Sequence, residues 1–170
     1  HKKGLYGFSI NHLNKIILNE NDSLAQYAFY YLGDSYRNIE NRLESMHAFR
    51  SASLIDQDSL IQHDAFYQFV MLCYEQKSPL YKAEKYLSEF IERYPQSNHI
   101  DKIYSCLANL HLNTHDYDNA ISVLEQSSFL NKDITYQYQK ICFHKGVQLF
   151  NDERYSDAIY YFNKSINVGD

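Results

Sequence analysis

The sequence predicts an all-helical protein built from stacked pairs of antiparallel helices. A small residue is followed four positions later by a bulky apolar residue, and this pair recurs at nearly constant intervals along the 170 residues. The small members, which lie 38, 37 and 38 residues apart, are Ser45, Ala83, Ala120 and Ala158. A period between roughly 20 and 50 residues is the signature of a repeat architecture. With only 5 Gly and 2 Pro, the chain also has few residues for the tight turns of an all-β fold.

Each period contains two amphipathic segments separated by a short polar break. In the first full period, residues 26–36 and 43–52 carry apolar residues at helical spacing. Between them, residues 38–41 contain Asn and charged side chains that favour a turn. The pattern therefore predicts four helix pairs, over residues 26–59, 64–97, 101–134 and 139–170.

An additional half period precedes the first full pair. Ser9 and Leu13 are spaced like Ala120 and Leu124, so residues 5–19 are predicted to form the second helix of a truncated pair. No long, loose or low-complexity segment separates the pairs. We therefore expect nine helices in a single array over residues 1–170, as a fragment of a larger protein.

The small residues have a packing explanation. Where two antiparallel helices cross closely, a large side chain at the contact would push the helix axes apart. Gly33, Ala108 and Gly146 lie at the expected contact on three first helices. Glycine inside a helix costs about 1 kcal/mol relative to alanine, so a recurring glycine is best explained by a close contact.

These residues resemble the tetratricopeptide repeat (TPR), whose unit has about 34 residues. The first full pair matches its pattern at Phe29, Leu32, Gly33, Tyr36, Ser45, Phe49 and Ala52. The last pair matches the second-helix half of the pattern at Tyr155, Ala158, Ile159 and Phe162. The resemblance implies a right-handed superhelical solenoid. Because the period here is 37 to 38 residues, we expect the additional residues in the turns between pairs.

The resemblance also implies a protein- or peptide-binding scaffold that uses the concave face lined by the first helices. Projected onto this chain, the groove residues would be Tyr27, Tyr30, Tyr31, Asp34, Arg37, Gln68, Leu72, Lys102, Ser105, Asn109, Lys140, Phe143 and His144. Aromatic and Arg side chains are the usual anchors of binding energy. The alternative is that the tyrosines only cover neighbouring helices.

A narrower likeness concerns the segment that contains Phe90, Tyr94, Pro95 and Ser97. This segment resembles variant repeats of bacterial envelope lipoproteins and of periplasmic proteins that assist outer-membrane assembly or cell-wall constriction. The expected location is therefore the periplasm or the outer membrane.

Composition argues against several other classes of function. The net charge is −5 and the basic residues are dispersed, whereas nucleic-acid binding favours a clustered basic stripe. No apolar run approaches the ~20 residues of a membrane span. Cys73, Cys106 and Cys142 each lie in an apolar helical segment, and their spacing fits neither a disulfide framework nor a zinc site. We expect all three to be buried.

Catalysis is not expected. His111 and His115 share one helical face, but the residues around them do not supply the third ligand and general base of a zinc enzyme. No phosphate-binding loop, dinucleotide fingerprint or nucleophile elbow occurs. We therefore expect no metal site and no cofactor. Two hypotheses stay open: a binding adaptor, and a structural spacer that stacks on its parent chain or on a second copy.

Overall fold

The computed structural model describes residues 2–18, 22–77, 80–127 and 132–167. Over these residues it contains nine α-helices and no strand, which confirms the all-helical prediction. The helices are α1 (Lys2–Leu18), α2 (Asp22–Asn38), α3 (Arg42–Leu54), α4 (Ser59–Gln76), α5 (Ala83–Arg93), α6 (Ile100–Asn113), α7 (Tyr117–Glu125), α8 (Lys132–Asn151) and α9 (Tyr155–Ile166). We call α2, α4, α6 and α8 the first helices, and the others the second helices.

The first helices begin earlier than the sequence pattern indicates. Helix α4 begins at Ser59 because the Asp58 carboxylate caps it, accepting hydrogen bonds from the N–H groups of Leu60 at 2.9 Å and Ile61 at 3.2 Å. Helices α2, α4 and α8 are 17, 18 and 20 residues long. The second helices α3, α5, α7 and α9 are shorter, and none of these four exceeds 13 residues. In the three pairs that begin with α2, α4 and α8, the additional residues extend the first helix rather than the turn between pairs, whereas before α6 residues 94–99 form such a turn, as expected.

The chain forms two compact units, His1–Tyr86 and Leu87–Asp170, with the boundary inside α5. In the first unit, α1 packs on α2, α2 on α3 and α3 on α4, and the first helices α2 and α4 are neighbours. In the second unit, α6 packs on α7, α7 on α8 and α8 on α9, and the first helices α6 and α8 are neighbours. A single array over the whole chain stays a prediction.

The predicted close contacts are present in two helix pairs. A Cβ atom added at Gly33 would lie 2.7 Å from the Phe49 ring, and one added at Gly146 would lie 2.6 Å from the Phe162 ring. The Ser45 hydroxyl donates a hydrogen bond of 2.7 Å to the Gly33 carbonyl, so this small residue also ties the two helices together. The other small residues of the pattern differ in burial: Ala120 and Ala158 are buried, and Ala83 is half-buried.

The turns within three pairs share one backbone geometry. Glu40, His115 and Glu153 adopt positive φ angles of 65°, 60° and 61°. In each case the backbone N–H of the following residue donates a hydrogen bond of 2.9 Å to a carbonyl in the last turn of the preceding helix. These bonds run from Asn41 to Tyr36, from Asp116 to His111 and from Arg154 to Leu149. This is the Schellman arrangement of a helix C-terminus. The turn therefore sets a constant number of residues between the accepting residue near the end of one helix and the small residue in the next helix.

The three cysteines are buried and form no disulfide with one another. Burial raises the pKa of the Cys73 thiol to about 12 and that of the Cys142 thiol to about 11. Cys142 belongs to the core of the second unit, together with Ala108, Ala120, Ile121, Leu124, Ile134, Tyr138 and Ile141. The prediction that the cysteines are buried is therefore confirmed.

Candidate binding surface on the first helices

Tyrosines of α2 reach carboxylates of the neighbouring first helix in the first unit. The Tyr27 hydroxyl donates to Asp58 Oδ2 at 2.7 Å, and the Tyr30 hydroxyl donates to Asp64 Oδ2 at 2.5 Å. These bonds connect α2 with the start and the second turn of α4. We call the surface formed by Tyr27, Tyr30, Tyr31, Asp34, Arg37, Asp58, Asp64 and Gln68 the tyrosine–carboxylate face.

Arg37 is neutralised within this face. Its Nη2 donates to Asp34 Oδ1 at 2.7 Å, and its Nη1 donates to Gln68 Oε1 at 2.7 Å. Its guanidinium also lies 5.6 Å from the centroid of the Phe49 ring. Arg37 therefore orders α2 against its neighbours, and the carboxylates of the face outnumber its single cation.

Hydrogen bonds and burial raise the pKa values of two tyrosines of this face and lower the pKa of one aspartate. Burial, together with the bond to Asp64, raises the pKa of Tyr30 to about 12. The bond to Asp58 raises the pKa of Tyr27, and the same bond, with the N–H groups of Ile61 and Leu60, lowers the pKa of Asp58. At neutral pH the Tyr27 hydroxyl is therefore a neutral donor that faces the ionised Asp58 carboxylate.

A buried glutamine positions the carboxylate end of this face. The Gln26 side-chain amide donates to the carbonyls of Ile55 at 2.7 Å and Asp58 at 3.1 Å, and it accepts from the Asp58 N–H at 2.8 Å. The turn before α4 is thereby fixed to α2. Gln26 is fully buried, and sequence analysis missed its role because its partners lie about 30 residues away.

Tyr31 is the most accessible tyrosine of the face. Its side chain is 54% exposed, and its ring meets the Tyr30 ring edge-on at a centroid distance of 5.7 Å. It lines a cleft of about 380 Å³ between α1 and α2, together with Tyr6, Ser9, His12, Leu13, Asp34 and Ser35. The sequence pattern assigned Ser9 and Leu13 to packing only, so the cleft was not predicted.

One predicted groove residue of this unit is not available to a ligand. Leu72 is buried in α4, so it contributes to packing rather than to a surface. Gln68 lies on the same helix and is held by Arg37, as described above. The predicted residues Tyr27, Tyr30, Tyr31, Asp34, Arg37 and Gln68 are thus brought together.

In the second unit, a glutamine braces α6 against α8. The Ser105 hydroxyl donates to Gln137 Oε1 at 2.7 Å, while Gln137 Nε2 donates to Asn109 Oδ1 at 2.9 Å and to the Ser105 carbonyl at 3.0 Å. Ser105 and Asn109 were predicted groove residues, whereas Gln137 was missed. The predicted groove residue Lys102 lies on α6, the helix of Ser105 and Asn109, and is exposed.

Helix α8 presents the remaining predicted residues. Lys140 is exposed, and Phe143 is half-exposed with its ring 5.7 Å from that of Phe162. The His144 ring stacks on Tyr117 of α7 at a centroid distance of 6.2 Å. This surface carries Lys and aromatic groups, in contrast to the carboxylates of the first unit.

The two histidines near the end of α6 have an acidic and an aromatic neighbour. No three His, Cys, Asp or Glu side chains of these ranges are grouped to hold a metal ion. His111 Nδ1 lies 3.6 Å from Asp116 Oδ2 at the end of α6, and the His115 ring meets the Tyr117 ring edge-on. Among the described helices, none is long and apolar enough to span a membrane.

Comparison with known proteins identifies the fold. No family model matches this sequence, and no curated protein matches it either. Among solved structures, MamA is 16% identical with a TM-score of 0.57, over 97% of this chain and 89% of that chain. YrrB, a TPR protein with an unusual peptide-binding site, is 18% identical with a TM-score of 0.58, over 98% of this chain and 79% of that chain. MamA (residue 41 to the end) from Desulfovibrio magneticus RS-1 is 14% identical with a TM-score of 0.51, over 99% and 95%. The chain therefore has the tetratricopeptide-repeat fold.

Proposed function

We propose that this chain is a non-enzymatic scaffold that binds a protein or peptide on its first helices. The principal site is the tyrosine–carboxylate face with the adjoining cleft between α1 and α2. The observation that carries the proposal is the placement of Tyr31, which is half-exposed at the rim of that cleft while hydrogen bonds hold the neighbouring Tyr27 and Tyr30.

This arrangement suits peptide recognition for two physical reasons. Tyrosine supplies a large contact area with a polar tip and loses little rotamer entropy on binding. The bonds to Asp58 and Asp64 restrict two of the three rings before any ligand arrives, which lowers the entropic cost of association. The structural likeness to YrrB, a TPR protein with a peptide-binding site, also supports this proposal.

The second unit would supply further contacts. Lys102 and Lys140 are exposed cations on its first helices, and Phe143 is a half-exposed ring. A ligand that reaches these residues would meet positive charge, whereas one on the first unit would meet carboxylates. We therefore expect the two units to favour ligand segments of opposite charge.

A peptide-display selection against the immobilised chain tests the proposal. Enriched peptides are labelled, and their dissociation constants are measured by fluorescence anisotropy for the wild type and for Tyr31→Ala. We expect at least a tenfold weaker affinity for the variant, because loss of a central aromatic anchor typically costs 2 kcal/mol or more, about a 30-fold change.

Tyr160→Ala is the matched control, since Tyr160 is about as exposed as Tyr31 but lies on the second helix α9. It should leave peptide affinity unchanged. Enrichment of no peptide, or equal affinities for Tyr31→Ala and the wild type, would contradict the proposal. Circular dichroism on both variants verifies that the fold is retained.

We also propose that the parent protein acts in a bacterial envelope, in the periplasm or at the outer membrane. The support is the likeness of the segment around Tyr94 and Pro95 to envelope-type repeats. Fractionation of cells that produce the tagged parent protein tests this, and recovery in the cytoplasmic fraction alone would contradict it.

A further inference from the structure

Three aromatic rings lie around the guanidinium of Arg50 in the first unit. Arg50 belongs to the second helix α3 and is half-buried. Its Cζ lies 5.9 Å from the centroid of the buried Phe69 ring, 5.2 Å from that of Tyr81 and 5.8 Å from that of Tyr86. The guanidinium also donates a hydrogen bond to the Tyr81 side chain. These contacts restrict the position of its positive charge.

Two further nitrogen-bearing side chains contact the same tyrosines. Lys85 Nζ, on α5, lies 5.4 Å from the centroid of the Tyr86 ring. His47, one turn before Arg50 on α3, meets the Tyr81 ring edge-on at a centroid distance of 6.0 Å. The two tyrosines therefore connect basic groups of α3 and α5. We call His47, Arg50 and Lys85 the basic cluster.

The charge of the basic cluster is not balanced by an acidic partner. Among the side chains that the structure describes, no Asp or Glu forms an ion pair with Arg50 or Lys85. The adjacent Glu84 lies in the first turn of α5, where a carboxylate interacts favourably with the helix dipole. Like charges at one ring repel each other, and a half-buried guanidinium has lost part of its hydration. An anion bound to both cations would offset both costs.

Packing of the repeat does not account for Arg50. Counted from the small residue of each pair, the matching positions of α5, α7 and α9 carry Ser88, Glu125 and Asn163. No contact shared by the pairs therefore requires an arginine at this position. A role specific to this part of the chain is the better explanation.

The chemistry of the basic cluster favours a doubly charged oxyanion. Arginine presents its N–H donors in a rigid plane that matches the oxygens of a phosphate or a carboxylate. Because the rings already restrict Arg50, its donors lose little entropy on binding. Lys85 supplies a second positive charge. A phosphomonoester, with about −1.5 to −2 charges at pH 7 and three acceptor oxygens, matches two cations better than a carboxylate does.

We propose that the basic cluster binds a phosphomonoester group, with Arg50 donating to its oxygens and Lys85 neutralising its second charge. His47 supplies a further hydrogen bond. The source of the group is either a free phosphate compound or a phosphorylated side chain of a partner protein. The site lies on second helices, so it is separate from the tyrosine–carboxylate face and independent of peptide binding there.

NMR titrations of the whole chain test the site with inorganic phosphate, a phosphoserine peptide, its unphosphorylated form and acetate. Phosphate should shift the signals of Arg50, Tyr81 and Tyr86, and should bind roughly tenfold more tightly than the singly charged acetate. Equal affinities for phosphate and the phosphoserine peptide would support a free phosphate compound as the ligand. Tighter binding of the phosphoserine peptide than of phosphate and of the unphosphorylated form would support a phosphorylated partner.

Two variants and a matched control locate the binding residues. Arg50→Lys keeps the charge but lacks the planar donors, and Lys85→Gln removes one charge from an exposed side chain. Each should weaken phosphate binding roughly tenfold, because a hydrogen bond between charged groups is lost. Arg42→Gln is the control, since Arg42 is an exposed arginine of the same helix that contacts none of the three rings, and it should bind like the wild type.

Circular dichroism verifies the fold of each variant, and the exposed position of Lys85 keeps the test decisive even if Arg50→Lys unfolds. Three results would overturn the proposal. These are a titration in which phosphate shifts no signal of the basic cluster or its rings, acetate binding as tightly as phosphate, and a folded Lys85→Gln or Arg50→Lys variant that binds phosphate like the wild type.

Discussion

At the scale of single residues, the two buried glycines decide how closely their helix pairs can pack. We predict that Gly33→Ala destabilises the protein by about 1–3 kcal/mol, because the new Cβ would lie 2.7 Å from the buried Phe49 ring. Urea denaturation measures the difference. Gly7→Ala is the control, since nothing lies within 4 Å of its Cβ position, and it should stabilise α1 by about 0.5–1 kcal/mol. Equal destabilisation by the two changes would show that the close contact is absent.

A second residue-scale prediction concerns Tyr30 at high pH. Burial, together with the bond to Asp64, raises its pKa from 10.0 to about 12, so the stability that depends on the neutral hydroxyl is fully present below pH 10 and is lost as pH rises through about 12. Urea midpoints of the wild type and of Tyr30→Phe should therefore differ by a constant amount below pH 10, and the difference should shrink between pH 10 and 12.

The comparison with Tyr30→Phe removes the contribution of other groups that titrate in the same range. A gap between the two proteins that stays constant up to pH 12 would mean that neither burial nor the bond to Asp64 raises the pKa of Tyr30 in solution.

The sequence could identify contact positions but not their polar partners. Gly33 and Ser45 were predicted as contact residues from their spacing. Close packing of two helices allows only small residues at the contact, and these residues therefore recur at regular positions in the sequence. The bonds from Gln26 to the turn before α4, and from Gln137 to α6, join residues about 30 positions apart. Such bonds depend on how neighbouring helices are rotated, and no local pattern specifies that rotation.

At the scale of the helices, the turn within each of the four pairs places a non-glycine residue at positive φ: Glu40, Lys77, His115 or Glu153. An L-residue in this conformation costs about 1–2 kcal/mol, which glycine avoids. We predict that Glu153→Gly, at a φ of 61°, raises the stability by about 0.5–1 kcal/mol despite the added flexibility of the unfolded chain. Thermal unfolding measures the change.

The neighbouring exposed residue provides the control for this change. Asp152 does not have a positive φ, so Asp152→Gly should lower the stability or leave it unchanged. If both glycine variants are destabilised alike, the backbone at Glu153 is not strained in solution.

Helix existence was predictable, whereas helix starts were not. The period and the apolar spacing predicted all nine described helices. The start of α4 was missed because residues 60–63 were left between the predicted pairs, and its position depends on the Asp58 cap and on the buried Gln26 that fixes Asp58. Local propensity is a weak guide where tertiary contacts hold a helix end.

At the scale of the whole molecule, the repeat period determines the fold class but not the binding surface. The resemblance to the tetratricopeptide repeat predicted that the first helices form the binding surface, and six of the predicted residues do lie together on the first unit. The accessible cleft beside Tyr31 and the burial of Leu72 depend on helix orientation, and so could not be read from composition or spacing. A scaffold of this fold is therefore easier to recognise than its ligand.

The buried cysteines make local opening of this protein measurable at individual helices. Cys73, Cys106 and Cys142 lie on α4, α6 and α8, so three of the first helices each carry one protected thiol. An alkylating reagent modifies such a thiol only when the surrounding structure opens, and its rate therefore reports the free energy of that opening. Mass spectrometry of timed reactions can rank these three helices by local stability, and can identify which of them a bound ligand protects.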